Sequence, residues 1–204
     1  MLRRFLLGAL VVSLASMAWA GVPDLDNSTA VIDAAADGAS VYVLPNGTGS
    51  AFTEAFAAGG TTVDATITLT LVDTQGLPIF LYPFEDLWLD TTGGNFAYCE
   101  GGTVADQSTD EDGITTWTNP LNAGGSSEGF QTQVFVAGAP LSGGLNITYN
   151  SADMNGDLLV NLSDIVPFTQ TLSAYDYSGD FNNDGIINLS DIVRFTPGIG
   201  TSCN

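Results

Sequence analysis

The sequence contains no histidine and no lysine, and its only cations are Arg3, Arg4 and Arg194. Without these side chains the chain cannot build a Ser-His, Cys-His or Ser-Lys nucleophile pair, nor a histidine metal site. A carboxylate pair of the glycosidase kind is the acid–base chemistry that stays available. Because this small, glycine-rich chain shows no aromatic-lined acidic cluster in its sequence, we expect it not to be an enzyme.

Positive charge is almost absent from the chain after residue 20. That part holds Arg194 against twenty-three Asp and Glu residues, a formal charge of −22. Phosphate binding needs a basic footprint, so nucleic acid and anionic membranes are excluded as natural partners. A carboxylate excess of this size repels itself in the compact state, and divalent cations relieve that repulsion.

Long hydrophobic runs are also missing, except at the N-terminus. Two arginines precede an apolar stretch over residues 5–17, and Ala18-Trp19-Ala20 then supplies a small-x-small cleavage pattern. The run is too short for a membrane anchor, so we predict a signal peptide over residues 1–20 and no membrane insertion elsewhere. The mature chain from Gly21 is then secreted or displayed on a bacterial cell surface. A retained anchor is the alternative, and it differs only in cleavage.

Cysteine is scarce, with Cys99 and the penultimate Cys203 as the whole set. In an exported protein such a pair is first interpreted as a disulfide, which would tie the C-terminal tail to the preceding domain. In the chain-entropy model a loop of this size stabilises the fold by about 4–5 kcal/mol. Two free thiols, or thiols that pair between molecules, are the alternative.

Residues 21–150 consist of short strand patterns separated by turn clusters. The clearest strand pattern runs from Thr62 to Val72, where apolar residues alternate with Thr and Asp. Turn chemistry such as Asn46-Gly47 and Asp112-Gly113 separates the strands, and about seven short strands at this spacing favour a β-sandwich. The weaker strand patterns are Thr29–Ile32, Ser40–Leu44, Asp86–Leu89, Ile114–Thr118, Phe130–Val136 and Leu145–Tyr149.

Two segments of this region carry a family resemblance. Residues 64–79 (DATITLTLVDTQGLPI) form a strand, a turn and a second strand, and residues 109–118 (TDEDGITTWT) place an acidic glycine turn before a Thr-rich strand. Both resemble signatures of bacterial immunoglobulin-like domains of the invasin and intimin type. The resemblance implies that residues 21–150 are an immunoglobulin-like β-sandwich.

Aromatic residues of the β region are candidates for a sugar-stacking platform. Trp88 is the best of them, because strand alternation places it on the face opposite its two leucine neighbours. Large aromatics are more often core or rim residues, and that alternative stays open. The candidates are Tyr42, Tyr82, Tyr98, Trp88 and Trp117.

The C-terminal region, residues 151–204, contains one strong internal repeat at an offset of 27 residues. Residues 160–169 (VNLSDIVPFT) align with residues 187–196 (INLSDIVRFT), and eight of the ten pairs are identical. This identity defines a duplicated unit.

An oxygen-ligand ladder begins before each copy of the repeat. Its side chains occupy positions 1, 3, 5, 9 and 12 of a twelve-residue loop, which is the spacing of the EF-hand calcium loop. In loop 1, residues 153–164, they are Asp153, Asn155, Asp157, Asn161 and Asp164. In loop 2, residues 180–191, they are Asp180, Asn182, Asp184, Asn188 and Asp191.

The ladders predict two bound Ca²⁺ ions. Position 7 would add a backbone carbonyl, from Leu159 in loop 1 and Ile186 in loop 2. Magnesium suits these loops less well, because it demands a tighter octahedron and sheds water reluctantly. Gly185 occupies position 6 of loop 2, whereas loop 1 has Leu158 there, and a leucine forced to positive φ costs about 1–2 kcal/mol. We therefore expect loop 2 to bind more tightly, with loop 1 weaker or bent around Gly156.

A short apolar helix is predicted after each loop. We expect Ser163 and Ser190 to cap these helices, Pro167 to lie in the first turn of its helix, and Pro197 with Gly198 to end the second helix. The apolar helix residues should pack the two copies together. These residues are Ile165, Val166 and Phe168 in the first copy, and Ile192, Val193 and Phe195 in the second.

Two such loops, each followed by a short apolar helix, resemble the type I dockerin of cellulosome components. The resemblance covers most of residues 151–204. It implies a module that folds with two calcium ions and docks onto cohesin domains of scaffold proteins. The residues that would face a cohesin-like partner are Leu162, Ser163, Leu189 and Ser190.

Three functions are compatible with this sequence. The first is docking of the sandwich to a cohesin-like or cell-surface partner through the dockerin-like tail. The second is carbohydrate binding in an accessory protein of extracellular polysaccharide degradation. The third is a self-associating structural surface protein in which calcium only stiffens the tail.

Overall fold

The computed structural model of the chain describes residues 21–203. The predicted signal peptide, residues 1–20, lies outside the described residues. Within the described part, no helix is both long enough and apolar enough to cross a membrane.

Residues 21–203 are mainly β, with two short α-helices near the C-terminus. Each of the seven predicted strand segments overlaps an observed strand, while several two-residue strands are too short to show a period in the sequence. The strands are β1 (Thr29–Val31), β2 (Ala39–Val43), β3 (Ala55–Phe56), β4 (Thr62–Val63), β5 (Ile67–Thr70), β6 (Leu87–Thr91), β7 (Ala97–Tyr98), β8 (Ile114–Trp117), β9 (Ala123–Gly124), β10 (Thr132–Val136), β11 (Ala139–Pro140) and β12 (Ile147–Ser151). The α-helices are α1 (Leu162–Thr171) and α2 (Leu189–Phe195). Single 3-10 turns lie at Ala34–Ala36, Phe52–Glu54, Phe84–Asp86, Tyr177–Gly179 and Thr196–Gly198.

The strands form four small sheets around one core. Their orders are β1-β5-β8, β11-β10-β6, β12-β2-β3-β4 and β7-β9. The pairings between these strands are antiparallel except for β12 with β2, which run parallel with Tyr149 opposite Val41. Alternation places Ile67 and Leu69 of β5 in the core, fully buried, together with Leu87 and Leu89 of β6.

The predicted strand from Thr62 to Val72 is divided into β4 and β5. Between them the Asp64 carboxylate accepts a hydrogen bond from the Thr66 N–H at 2.9 Å, and the Ala65 N–H donates to the Phe52 carbonyl at 2.9 Å. This local turn lets the chain leave one sheet and enter another. The apolar alternation continues through the turn, since Ala65 is fully buried.

A second apolar core joins the sandwich to the C-terminal region. Val41 and Val43 of β2 face the sandwich core, and Tyr42 and Leu44 face the other way. That outer face packs against Ala152, Met154, Val160, Phe168, Phe181 and Phe195. The C-terminal region therefore builds its core partly on the outer side of β2.

Asparagine, not serine, caps both helices, so the predicted serine caps are wrong. The Asn161 side chain accepts a hydrogen bond from the Ser163 N–H at 2.8 Å, and the Asn188 side chain accepts from the Ser190 N–H at 2.8 Å. Asn161 and Asn188 have the extended backbone that an N-cap needs, and the serines lie inside the first turn.

Two further details of the helices differ from prediction. Pro167 lies in the interior of α1, because the helix begins at Leu162, and the proline leaves the Ser163 carbonyl without its helical donor. Phe168 and Phe195 do pack the two copies together, with ring centroids 4.6 Å apart. Val166 and Val193, by contrast, are mostly exposed, since each lies on the outer side of its short helix.

Cys99 and Cys203 form a disulfide, with their Cα atoms 5.6 Å apart. The bridge joins the residue that follows β7 to the C-terminal tail. The tail itself pairs with loop 1, because the Val160 N–H donates to the Thr201 carbonyl at 2.9 Å and the Gly200 N–H donates to the Val160 carbonyl at 2.8 Å.

Candidate functional site

The aspartate at position 1 makes two backbone contacts that recur in both loops. In loop 1 the Asp153 carboxylate accepts from the N–H groups of Asp157 at 3.1 Å and Leu158 at 2.8 Å. In loop 2 the Asp180 carboxylate accepts from the N–H groups of the corresponding residues, at 3.1 and 2.8 Å. The two ladders therefore fold into two loops with one backbone arrangement.

The asparagine at position 3 of loop 1 is held by its own amide group. The Asn155 Nδ2 atom donates to the Asp157 carboxylate at 2.9 Å and to the Ser163 hydroxyl at 3.0 Å. The Asn155 Oδ1 atom accepts from the Asp157 N–H at 3.0 Å. The amide nitrogen thus lies against the carboxylate and the hydroxyl, and the amide oxygen lies against a backbone N–H.

Loop 2 repeats this orientation but leaves the oxygen unpaired. The Asn182 Nδ2 atom donates to the Asp184 carboxylate at 2.8 Å and to the Ser190 hydroxyl at 3.1 Å. Among the residues that the structure describes, the buried Asn182 Oδ1 atom has no hydrogen-bond partner. A buried carbonyl oxygen without a partner costs free energy, and a bound cation would satisfy it.

Position 12 closes each loop from the first turn of the following helix. The Asp164 carboxylate accepts from the N–H groups of Asn155 at 3.3 Å and Asn161 at 2.8 Å. The Asp191 carboxylate likewise accepts from the N–H groups of Phe181 and Asn188, both at 2.9 Å. These contacts bring position 12 back to the start of the loop, as the ladder spacing requires.

Position 9 differs from the expected ligand arrangement. Besides capping α1, the Asn161 side chain donates through Nδ2 to the Leu159 carbonyl at 3.2 Å. The Asn188 side chain makes the same contact with the Ile186 carbonyl at 3.3 Å. Both position 9 amides are therefore engaged with the helix end and with the position 7 carbonyl.

Positions 1 and 12 bury charge. The aspartates at these positions are fully buried, and Arg194 is the one Lys or Arg residue in the described part of the chain. Its guanidinium lies 4.4 Å from the centroid of the Phe56 ring. Uncompensated buried carboxylates are costly, so this arrangement favours a cation in each loop. The four aspartates are Asp153, Asp164, Asp180 and Asp191.

Burial also affects the protonation of two of these groups. Burial raises the pKa of the Asp153 carboxyl above its ordinary value, opposed by the hydrogen bond from the Leu158 N–H. Burial likewise raises the pKa of the Asp191 carboxyl, opposed by the N–H groups of Asn188 and Phe181. In both cases removal of the carboxylate from water is the largest cause, and neighbouring aspartates of the same loop add to the rise in pKa.

Between residues 21 and 203, no three His, Cys, Asp or Glu side chains form a ready metal-binding group. Each ladder instead mixes aspartate with asparagine, and its buried carboxylates accept backbone N–H donors. The donor chemistry suits a hard cation with a flexible oxygen shell, and the unpaired Asn182 Oδ1 atom fits such an ion. Calcium binding stays a prediction from these residues.

The helices expose apolar residues at equivalent places in the two copies. Of the residues predicted to face a partner, Leu162 is 77% exposed and Leu189 is 70% exposed. Ser163 and Ser190 lie beside them, with their hydroxyls accepting from the position 3 amides. Further exposed pairs, each 27 residues apart, are Leu159 with Ile186 and Val166 with Val193.

The aromatic candidates of the sandwich have different environments. Trp117 is fully buried and donates through Nε1 to the Thr103 carbonyl at 3.0 Å, and Tyr42 belongs to the second core. Tyr82 packs partly against the sandwich core. Trp88 and Tyr98 are the two that line a common surface cleft.

No protein-family model and no curated protein matches the chain. Invasin, a bacterial integrin-binding protein, is similar over 60% of this chain and 18% of its own, with 23% identity and a TM-score of 0.31. The Lin-41 filamin domain is similar over 64% of this chain and 97% of its own, with 18% identity and a TM-score of 0.30. The chain thus spans less than a fifth of invasin, and these likenesses say nothing about function.

Proposed function

We propose that this chain is an exported, non-catalytic docking protein. Two calcium ions shape its C-terminal module, and the module attaches an immunoglobulin-like β-sandwich to a cohesin-like protein or surface scaffold. The observation that carries the proposal is the repeated burial of aspartates at positions 1 and 12 of loops 1 and 2, without a cationic side chain beside them. Nucleic acid has no part in this proposal, because residues 21–204 carry a formal charge of −22.

The residues that would hold calcium are those at positions 1, 3, 5, 7 and 12 of loops 1 and 2. The carboxylates at positions 1, 5 and 12, the amide oxygen at position 3 and the carbonyl at position 7 are hard oxygen donors of the kind that calcium prefers. Bound calcium would supply the positive charge that each loop lacks. The asparagines at position 9 would hold the loop in shape, because they cap the following helix and donate a hydrogen bond to the position 7 carbonyl.

Exposed apolar residues on α1 and α2 support docking. Leu162 and Val166 lie one helical turn apart on α1, and Leu189 and Val193 have the same relation on α2. Exposed apolar residues that recur at a 27-residue spacing give two similar half-surfaces. A partner could therefore bind through either copy, or in two orientations related by the repeat.

Calcium titration of the oxidised chain, residues 21–204, tests the metal half of the proposal. The whole chain is needed because the second core includes Tyr42 and Leu44 of β2. We expect two calorimetric binding events of unequal affinity, and loss of helical circular dichroism on chelation. Magnesium at the same concentration is the control and should bind more weakly. Absence of binding at millimolar calcium would contradict the proposal.

Surface plasmon resonance against immobilised cohesin domains tests the docking half. We expect binding in calcium, loss of binding in chelator, and retention when either Leu162→Ala or Leu189→Ala is introduced alone. The double variant should lose binding, while Leu77→Ala, a residue 56% exposed on the sandwich, serves as the matched control. If the double variant still binds cohesin, Leu162 and Leu189 are not the docking surface. If the chain does not bind cohesin but forms calcium-dependent dimers in a sedimentation experiment, the result would favour the self-associating structural protein.

A further inference from the structure

A cleft on the sandwich lies outside the calcium loops and has no part in the proposed docking. Its volume is about 190 Å³. Trp88 of β6 and Tyr98 of β7 both line it. The lining is completed by Glu85, Gly101, Thr103 and Val104. None of these residues belongs to the C-terminal module, so the cleft is a separate candidate site.

Sheet register fixes the position of Trp88. Phe135 of β10 lies directly opposite it, and the two rings are stacked with centroids 5.5 Å apart and planes 8° apart. On the other flank, Trp88 forms a β-bridge with Val104. Phe135 does not line the cleft, whereas Val104, the bridge partner on the other flank of Trp88, does. A ring held in this way is a rigid platform.

Tyr98 is held by its neighbours in the chain. Its ring contacts Phe96, with centroids 6.3 Å apart, and the next residue, Cys99, is fixed by the disulfide. The Tyr98 side chain is 38% exposed. Burial raises the pKa of its phenol, and the charge of Asp90 adds to this effect. The hydroxyl therefore keeps its proton near neutral pH and can donate a hydrogen bond.

We infer that this cleft binds a neutral sugar ring of a polysaccharide. The face of an indole is flat and apolar, which suits the C–H face of a pyranose, while the sugar hydroxyls need donors and acceptors at the edge. Tyr98 supplies a donor, and Glu85 supplies acceptors. The lining contains no cation, so an anionic ligand would meet only the carboxylate of Glu85.

The same residues disfavour two other ligand classes. A quaternary ammonium ion needs aromatic faces on several sides, whereas Phe135 already covers one flank of Trp88 and leaves a platform instead of a cage. An apolar ligand needs an enclosed pocket, and this cleft is small and open to solvent. A flat, amphipathic, uncharged ring satisfies both the charge and the shape of the site.

Tryptophan fluorescence of residues 21–204 gives a direct readout. That chain holds two tryptophans, Trp88 and Trp117, and Trp117 is fully buried, so a change on ligand addition reports Trp88. The probes are cellohexaose, xylohexaose, mannohexaose and chitohexaose, with choline chloride as the cationic comparison. We expect one or more of the oligosaccharides to give a saturating change at concentrations up to about 10 mM.

Variants then locate the binding site. Trp88→Ala and Tyr98→Ala should each lower the association constant for the oligosaccharide about tenfold or more, and Glu85→Gln should lower it about threefold. Tyr98 and Glu85 are exposed, so these variants keep the result interpretable if Trp88→Ala disturbs the Phe135 stack. Phe80→Ala, an exposed aromatic outside the cleft, is the control and should bind as the unaltered chain does.

Three results would overturn the inference. The first is no fluorescence change with any oligosaccharide. The second is saturation by choline but not by sugars, which would make the cleft a cation site. The third is sugar binding that Tyr98→Ala and Glu85→Gln leave unchanged. Calcium binding is measured separately, so failure here would leave the docking proposal intact.

Discussion

Loops 1 and 2 share one ligand ladder but differ at the two positions where the backbone is left-handed. At position 4, loop 1 has Gly156 (φ 71°) and loop 2 has Asn183 (φ 53°). At position 6, loop 1 has Leu158 (φ 65°) and loop 2 has Gly185 (φ 82°). Each loop thus has one glycine and one side chain in this region, with the order exchanged. Leucine suffers more than asparagine there, because asparagine tolerates the left-handed conformation.

Contacts with the sandwich explain the exchange. A Cβ atom at Gly156 would lie 2.4 Å from the Asn95 carbonyl oxygen, so loop 1 needs a glycine at position 4 to approach the sandwich. In loop 2 the position 4 side chain is used instead, since Asn183 Nδ2 donates to the Phe56 carbonyl at 3.0 Å. A Cβ atom at Gly185 would meet nothing within 4 Å. The difference at position 4 therefore follows from the contacts of each loop with the sandwich.

Removal of the disulfide should have the largest effect on stability, and it should weaken calcium binding in loop 1 more than in loop 2. The bridge closes a sequence separation of 104 residues, and replacing Cys99 and Cys203 with serine should lower the free energy of unfolding by about 4–5 kcal/mol in the chain-entropy model. Because the tail pairs with Val160 of loop 1, the calcium event of loop 1 should weaken more than that of loop 2. Urea denaturation and calorimetry measure the two effects. Equal weakening of both events would show that the tail does not support loop 1 preferentially.

Removal of one carboxylate charge at position 5 should show which calcium-binding event belongs to which loop. Asp157→Asn and Asp184→Asn each remove one carboxylate charge from one loop, which should weaken calcium binding at that loop roughly tenfold to a hundredfold. The other loop is the internal control, and its affinity should stay within about twofold. Calorimetry of both variants shows which event belongs to which loop. If Asp184→Asn weakens the weaker event, the predicted order of the two affinities is wrong.

Much of the local structure could be predicted from the sequence, but fewer of the contacts between elements could. A period of two between Thr62 and Val72 predicted the buried face, but the division at Asp64 depends on the contact of Ala65 with Phe52. The ladder spacing likewise located both loops. It did not separate the two roles that an asparagine at position 9 can take, because ligand and helix cap are polar residues at the same distance from position 1.

The contact between the C-terminal module and the sandwich was missed, although a signal exists. Residues 39–44 (ASVYVL) form a nearly continuous apolar run without alternation. Such a run indicates a strand that is buried on both faces, as β2 is. The disulfide could not be decided in advance, because spacing alone does not distinguish a bridge from two free thiols. Trp88 and Tyr98 were both candidates for a sugar-binding surface, but the sequence could not place them side by side, because β7 is too short to show a period.

Removal of the backbone strain at position 6 should change calcium affinity by a smaller factor, and only in loop 1. Leu158→Gly removes the penalty for positive φ while keeping the N–H that donates to Asp153, so calcium affinity at loop 1 should rise about fivefold, or about 1 kcal/mol. The matched variant Gly185→Leu should lower the affinity of loop 2 by a similar factor, because its Cβ meets open space and only the backbone penalty changes. Calorimetry of both variants tests the pair. A weaker loop 1 after Leu158→Gly would mean that leucine packing outweighs the backbone penalty.

The smallest expected effect lies at position 4 of loop 2. Asn183→Gly relieves a backbone penalty of only a few tenths of a kcal/mol, but it removes the hydrogen bond to the Phe56 carbonyl, which contributes about 1 kcal/mol. The Gly59 N–H still donates to the carbonyl of residue 183, at 2.8 Å in the structure, so the loop keeps one tie to the sandwich. We expect a net loss of about 0.5 kcal/mol in the free energy of unfolding, measured by urea denaturation with calcium present. A gain in stability would show that backbone conformation, and not the sandwich contact, dominates position 4, and the explanation given for the exchanged glycines would then fail.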